Sequence, residues 1–391
     1  MWSNIMNEQD ERGLNTFTNS VLNILPQSKV VIYGAGYMGL AVLYEMRNFG
    51  VEPLCFIDVE KSKHSASLAG VSVISPDELS TLPKDVIAII SPSKMPFAIK
   101  KLLENNGVKN IIYYHKVHAV SAWYSNVYKN IDQNYKNNLL VDGKDKISNV
   151  RKALCDAKSI DIFDAAIDAW VNNTPEKLEK YNEGNQYFPN DIVMLGENEV
   201  FVDCGAYRGD TIQILMDTAK LHNGSISKIY AFEPDEINFL MMNALVASKN
   251  YQEITSIYKC CVGDGTNKEI RYKSQPGGGG HISDDGEKIM KLISIDDVVF
   301  DSGHTATYIK MDIEGAELNA LKGAQKVIER DKPRMAISLY HRINDLWEIP
   351  SYLIEEYGDI YNFFIRQHND FFETVLYAIP KDINSIGRGL L

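Results

Sequence analysis

From Lys29 onward, short β-branched runs alternate with amphipathic stretches, and this rhythm occurs twice with a stretch between that lacks it. The first series reads VVIYG, a helix predicted from Tyr37 to Phe49, PLCFID, VSVI, a helix near Pro76, DVIAIIS, a helix from Pro96 to Asn105, and NIIYY. Strands interleaved with amphipathic segments predict a parallel βαβ sheet. Upstream, Leu14, Phe17, Val21, Leu22 and Leu25 have helical spacing that Pro26 closes, so an N-terminal packing arm is expected. Between His118 and Gly196 the strand rhythm is absent, and Lys146 to Ala157, Ile160 to Asn172 and Pro175 to Tyr181 read as helices. The rhythm returns in EVFVDCG, KIYAFEP, ITSIYKCCVG, TYIKMDI and RMAISLYH, with a helix between most pairs. The last two runs, IYNFFIRQ and TVLYAIP, are parted only by a short polar loop around His368, Asn369 and Asp370, the pattern of an antiparallel hairpin.

The expected fold is α/β, with two doubly wound domains joined by a helical connector, the second sheet finished by an antiparallel hairpin. The boundaries that follow are an arm at 1–25, a first domain at 26–118, a connector at 119–195 and a second domain at 196–391. A chain of 391 residues is too long for one ordinary core, which agrees with two.

Composition narrows the classes. With 45% hydrophobic and 24% charged residues the chain reads as a soluble globular protein. No apolar run approaches the roughly 18 residues of a membrane span. The opening MWSNIMNEQDERG has neither a basic nor an apolar region of the secretory kind, so a cytoplasmic location is expected. Cys55, Cys155, Cys204, Cys260 and Cys261 form no CxxC pair and are expected to be reduced structural thiols without zinc. The formal charge of −12 opposes binding to nucleic acid, which relies on clustered Lys and Arg. A homo-oligomer is compatible with the sequence.

Candidate chemistry concentrates in the second domain. In VFVDCGAYRGDT a strand ends in Asp203, passes through Gly205 and Gly209, and opens a helix. Two residues without a β-carbon allow close approach of a ligand to the backbone. A pyrophosphate prefers a helix start free of carboxylates, whereas Asp203 and Asp210 bracket this turn and suit a cofactor carrying sulfonium and ammonium groups. Thirty residues on, YAFEPD puts Glu233 just beyond the next strand, where an acid accepts hydrogen bonds from ribose hydroxyls. In CCVGDGT, Gly263 and Asp264 follow a third strand, as a plain turn or as a contact to an adenine amino group.

Taken in order and spacing, VDCGAYRGD, AFEPD, CCVGDG, LISIDDV and YIKMDIEGAELNALKGA resemble the FkbM-type methyltransferase family over roughly Asn198 to Pro380. The resemblance implies O-methylation dependent on S-adenosylmethionine, often of a hydroxyl on a sugar, glycolipid or natural product. It assigns the cofactor roles to Asp203, Gly205, Gly209, Glu233 and Asp264. The acceptor, a small molecule or glycan, does not carry over, because the loops that meet it vary.

Methyl transfer to a hydroxyl needs in-line approach and, for an ordinary alcohol, a base. In YIKMDIEGAE, Asp312 and Glu314 sit beyond the fourth strand and are the leading candidates, and Lys310 points to the same side as Asp312. His341, at the end of SLYH, is the third candidate base or a strand-end histidine with a structural bond. Asp296 and Asp297, with Asp312 and Glu314, offer oxygens to a hard cation, but capping after Ser294 is the preferred reading and no metal is expected. The segment SQPGGGGHISDDGE reads as a lid over the acceptor, with His281 as a contact, or as a surface loop.

In the first domain, VVIYGAGYMG places Gly34, Gly36 and Gly39 between a strand and a helix, and Asp58 ends the next strand, the dinucleotide fingerprint in its expected context. Around FIDVEKSKHSASLAGVSVISPDEL the chain looks like the small Rossmann-type domains of sugar-modifying enzymes, which implies a nucleotide or nucleotide-sugar site; an empty structural module is the competing reading. Two further classes stay open: an NAD(P)-dependent oxidoreductase centred on Gly34 to Asp58, and a non-catalytic nucleotide-binding scaffold.

Overall fold

The computed structural model describes residues 25–48, 50–60, 67–91, 96–113, 133–172, 175–265, 268–274, 280–368 and 373–381. The expected N-terminal arm before Leu25, residues 275–279 of the expected lid and the tip of the terminal hairpin lie outside them. The chain divides into two compact units, Met1–Asp142 and Gly143–Leu391.

In the first unit the elements are β1 (Val30–Tyr33), α1 (Tyr37–Asn48), β2 (Cys55–Ile57), β3 (Ser67–Leu68), β4 (Val71–Ile74), β5 (Ile87–Ile90), α2 (Pro96–Asn105) and β6 (Asn110–Tyr113). They form one sheet in the order β3-β4-β2-β1-β5-β6. All pairs are parallel except the short β3/β4 hairpin. β1 and β5 are buried throughout, as expected of parallel strands covered on both faces. The stretch after Ser75 is a 3-10 helix with a capping box between Ser75 and Glu78, where a helix near Pro76 was predicted.

Helix α3 (Gln133–Ala153) runs across the division between the units, and α4 (Ala157–Asn172) and a 3-10 turn (Pro175–Tyr181) follow in the second. Next come β7 (Asn182–Glu183), β8 (Glu199–Cys204), α5 (Asp210–Leu221), β9 (Ile226–Phe232), α6 (Glu236–Ser248), β10 (Thr255–Tyr258), β11 (Cys261–Val262), β12 (Lys268–Lys273), β13 (His281–Ile282) and β14 (Lys288–Ile293). The unit ends with α7 (Ile295–Val299), β15 (Tyr308–Met311), α8 (Glu317–Lys322), α9 (Gln325–Asp331), β16 (Arg334–Ser338), α10 (Asp345–Tyr357), β17 (Tyr361–His368) and β18 (Thr374–Pro380).

The main sheet has the order β10-β9-β8-β15-β16-β18-β17-β7. Its first five strands are mutually parallel, and β18 enters antiparallel between β16 and β17, so the predicted hairpin is present. Strand order reverses at β8, which has β9 on one side and β15 on the other. Such a switch point opens a crevice beyond the carboxyl ends of the strands. Phe201 of β8, Tyr308 of β15 and Phe188 stack with centroids 5.5 to 5.9 Å apart, and all three rings are fully buried. Each such pair adds about 0.5–1.5 kcal/mol beyond the area it buries.

The segment before β8 is anchored to the hairpin. The guanidinium of Arg366 on β17 holds Asp156 at 2.7 Å and Asp191 at 2.9 Å and donates to Ser159 Oγ at 2.9 Å. The ITSIYKCCVG run, expected as one strand, is two. β10 closes the edge of the main sheet, while β11 joins a four-stranded sheet, β11-β14-β12-β13, which the sequence reading did not anticipate. β12 reads KEIRYK, with only Ile270 and Tyr272 facing its small core, so the signal is weak. Among the described residues, no helix is long and apolar enough to cross a membrane.

Candidate functional site

The carboxyl ends of β9, β8 and β15 finish in register, with Cys204 opposite Phe232 on one side and Met311 on the other. The next residues, Glu233, Gly205 and Asp312, therefore stand side by side at the switch point. Gly205 (φ 81°) and Gly209 (φ 84°) both adopt left-handed backbone, which any side chain would strain. The protein itself crowds the place of each missing β-carbon. A β-carbon on Gly205 would lie 1.9 Å from the carbonyl oxygen of Asp312, and one on Gly209 would lie 3.3 Å from Met242 of α6. The vacated space is taken by the protein's own chain, so these glycines bend and close-pack the turn.

Asp203, one residue before the end of β8, is fully buried and faces Lys310 of β15, Nζ to Oδ1 3.1 Å. Lys310 also donates to the carbonyls of Gly205 (2.6 Å) and Cys204 (3.3 Å), and its ammonium lies 5.2 Å from the centre of the Tyr187 ring. Lys310, on the same side of its strand as Asp312, thus forms its ion pair across strands with Asp203. Burial raises the Asp203 carboxyl against the pull of Lys310. Neither Asp203 oxygen meets hydrogen-bond geometry, although one is at ion-pair distance from Lys310. A buried carboxylate with spare acceptor capacity fits the positive end of the expected cofactor.

Glu233 is buried just beyond β9. One oxygen accepts from the Tyr207 amide (2.9 Å), clasping the glycine turn, and the other from the Asp235 amide (2.8 Å). Burial pushes its carboxyl up to about 7, against these two donors. Each oxygen keeps a lone pair for a ribose hydroxyl.

Beyond β15 the carboxylates differ sharply. Asp312 Oδ1 accepts from Tyr340 (2.8 Å) and lies 3.2 Å from His341 Nε2, while Oδ2 accepts from Tyr187 (2.7 Å). Burial opposes its charge, but His341, Lys310 and Tyr187 hold it well below the usual carboxylate range. Glu314, in left-handed backbone (φ 56°), is 3.7 Å from His341 Nε2 and keeps 35% side-chain exposure. Burial pushes its carboxyl up to about 7, with His341 opposing and Asp312 adding. His341 Nδ1 lies 3.0 Å from Glu317 Oε1. Burial disfavours the imidazolium, but Glu317 and Asp312 override it and raise the histidine well above its usual value. A ring held protonated argues against the expected use of His341 as a base.

Two residues here were missed by the sequence reading. Glu317, fully buried at the start of α8, accepts the Ile313 amide (2.8 Å) and faces His341; its position in the EGAE turn was its only signal. Tyr187 comes from a stretch without rhythm. It has φ 70°, and its amide and carbonyl are held by the Tyr377 and Tyr308 hydroxyls.

Asp264 is exposed in the bend beyond β11, whose Cys261 lies close enough to feel the Glu233 carboxylate. Asp296 caps α9 by accepting the Lys326 (3.1 Å) and Val327 (2.9 Å) amides, and Asp297 bonds Ser294 at the start of α7. Asp297 thus takes the capping place expected after Ser294, whereas Asp296 serves a different helix, α9. His281 lies in β13.

In the first unit Asp58 Oδ2 accepts the Ala35 amide at 2.7 Å and Oδ1 the Glu60 amide at 2.8 Å. Gly34 has φ 100°. A β-carbon on Gly39 would lie 1.9 Å from the Gly34 carbonyl oxygen, whereas one on Gly36 would meet nothing within 4 Å.

The sequence profile of the methyltransferase FkbM domain matches residues 203–372, and that of the C2185-like N-terminal domain matches residues 26–112. No curated protein sequence matches the chain. Among solved structures, a methyltransferase FkbM from Methylobacillus flagellatus KT is 22% identical, covers 95% of this chain and 100% of its own, and superposes with a TM-score of 0.61. That likeness speaks to the fold. A UDP-D-quinovosamine 4-dehydrogenase from Vibrio fischeri (26% identical, 22% of this chain, 76% of its own, TM-score 0.20) resembles it too weakly to bear on function. The same holds for an rRNA methylase from Streptococcus thermophilus (15% identical, 48% of this chain, 89% of its own, TM-score 0.31). Asp203, Glu233 and Asp312 all lie within the span that matches the methyltransferase FkbM domain, and the chain is an S-adenosylmethionine-dependent methyltransferase.

Proposed function

We propose that the enzyme methylates a hydroxyl of a sugar, glycan or related small molecule, with Glu314 as proton acceptor and Asp312 as an anchored carboxylate. The unequal engagement of these two acids carries the reading. Asp312 is held by hydrogen bonds from Tyr187 and Tyr340 and lies at ion-pair distance from His341, whereas Glu314 reaches solvent and receives no hydrogen bond among the described residues. A group that must take a proton from an incoming alcohol needs that access. A crevice with this many carboxylates also disfavours an anionic acceptor.

S-adenosylmethionine, when bound, supplies an electrophilic methyl group. On the protein side, Asp203 offers negative charge at the switch point, Glu233 offers acceptors for the ribose hydroxyls, and the Gly205–Gly209 turn shapes the floor. Asp264 is kept as the adenine contact, since the small sheet reaches the Glu233 side of the crevice, where Ser274 just beyond β12 donates to Asp235. For the first unit the corresponding reading is a turn for a nucleotide or nucleotide-sugar, supported by the open flank of Gly36 and by Asp58 clasping Ala35.

The test is transfer of a labelled methyl group to a panel of sugars and glycans by wild type, Glu314→Gln and Asp312→Asn, with S-adenosylhomocysteine affinity measured alongside. Glu314→Gln is expected to lower kcat by about 10²–10⁴ with little change in that affinity. Full turnover in Glu314→Gln would remove the base assignment, and transfer confined to acceptors without a hydroxyl would remove the substrate class.

A further inference from the structure

Besides binding its cofactor, the second unit holds a trio of ligating side chains that methyl transfer to an alcohol does not by itself require. Asp312 beyond β15, Glu317 at the start of α8 and His341 beyond β16 converge so that one donor atom from each lies within 4.8 Å of the others. Their arrangement is incomplete as a hydrogen-bonded cluster. Both imidazole nitrogens are buried and neither makes a hydrogen bond, because the nearby carboxylates lie off the N–H directions. Glu317 Oε2 is likewise buried without a partner, while Oε1 is spent on the Ile313 amide. Unmatched polar atoms in the interior each cost roughly 1–3 kcal/mol, so a fold that keeps three at one point has a use for them.

We infer that Asp312, Glu317 and His341 bind a divalent first-row transition ion. Donors bound at about 2.1 Å on adjacent octahedral vertices stand about 3.0 Å apart. His341 Nε2 and Asp312 Oδ1 are 3.2 Å apart, near that spacing, while Glu317 Oε1 lies nearest the other ring nitrogen (Nδ1, 3.0 Å), so Glu317 is the side chain that turns as the ion displaces the proton the two carboxylates otherwise favour on the ring. One imidazole with two carboxylates suits Mn²⁺ or a neighbour in the series better than Ca²⁺, which takes oxygens only. The surroundings have the character of an outer shell: Tyr187 and Tyr340 donate to Asp312, and the Ile313 amide orients Glu317. Three protein ligands leave positions open, and an acceptor hydroxyl bound there would be acidified beside Glu314. The sequence reading weighed Asp296, Asp297, Asp312 and Glu314 as oxygen ligands and expected no metal because it preferred capping for the first two; Glu317 was not among its candidates.

The experiment titrates chelator-treated full-length protein with MnCl2, following heat and the electron paramagnetic resonance of free Mn²⁺, and in parallel with S-adenosylhomocysteine. One Mn²⁺ per chain is expected. Glu317→Gln and His341→Ala should each weaken it by more than about tenfold, since even partners outside the coordination sphere are worth that much. Glu317→Gln keeps an acceptor for the Ile313 amide and guards against misfolding, and retained S-adenosylhomocysteine binding in each variant certifies the fold. Absence of saturable Mn²⁺ binding in wild type, or equal binding in both folded variants, would overturn the site. Mn²⁺ binding that depends on these residues in a protein that ignores S-adenosylhomocysteine would uphold the metal site and sink the methyltransferase reading instead.

Discussion

The chain builds the same turn twice, once beyond β1 and once beyond β8, and fills the two with different chemistry. In each, an acid beyond the neighbouring strand clasps a backbone amide of the turn, Asp58 to Ala35 and Glu233 to Tyr207. In each, a side chain from the strand on the other side holds the turn's carbonyls. That side chain is the Ser91 hydroxyl in the first unit, to Tyr33 (2.7 Å) and Gly34 (3.3 Å), and the Lys310 ammonium in the second, to Cys204 and Gly205. One residue before its end the first strand has Ile32, where the second has Asp203, paired with that ammonium. The comparison separates what shapes a βα turn from what equips it. The clasp and the carbonyl tether belong to the turn, whereas the buried charge pair and the carboxylates beyond β15 belong to the cationic cofactor and its chemistry.

The sharpest way to break that comparison is to exchange the tethers. Lys310→Met strands Asp203 as an uncompensated buried carboxylate, and losing one partner of such a pair costs about 3–5 kcal/mol. Ser91→Ala removes one neutral hydroxyl while the Ser91 amide still donates to Tyr33, so about 1 kcal/mol is expected. Hydrogen exchange on the full chain reads the two units separately. Equal losses would mean that the ammonium serves the second turn merely as a tether.

A smaller effect follows from Glu233. Its carboxyl, at about 7 in the folded chain and 4.5 as the ordinary value, keeps a proton between those limits that the unfolded chain releases. Stability from this group is therefore greatest below about pH 4.5 and declines as pH rises toward 7, by on the order of 3 kcal/mol in all. Ribose hydroxyls donating to the carboxylate favour its charged form. S-adenosylhomocysteine affinity should then climb from pH 5 to about 7 and level off above, and Glu233→Gln should flatten the curve. A flat wild-type curve would take Glu233 out of the ribose role.

How far this was legible follows from what kind of signal each part leaves. The main strands of both sheets, the terminal hairpin and the row Asp203, Glu233, Asp312 were readable because buried parallel strands write continuous apolar runs and their ends are marked by acids and glycines. The small sheet was not, since β12 and β14 are half exposed and interrupt their apolar positions with charged residues, chiefly Lys. Tyr187 escaped because its place is fixed by the hydroxyls of Tyr308 and Tyr377, residues more than 100 positions away. Glu317 stood in view as the second acid of EGAE, but only the fold turns it inward toward His341.

The smallest expected effect tests the emptier of the two turns. Gly36 is exposed, and a β-carbon there would touch nothing within 4 Å, in contrast to Gly39 and Gly205, where it would strike a backbone oxygen. Gly36→Ala should leave stability within about 0.5 kcal/mol, as for surface changes that meet no neighbour. Yet a methyl group at that point occupies the flank where a phosphate or sugar would approach the backbone amides. A calorimetric titration with a panel of nucleotides and nucleotide-sugars should therefore show binding to wild type that Gly36→Ala abolishes without loss of fold. If no member of the panel binds wild type, the first turn is a packing device, and its likeness to the second ends at the clasp and the tether.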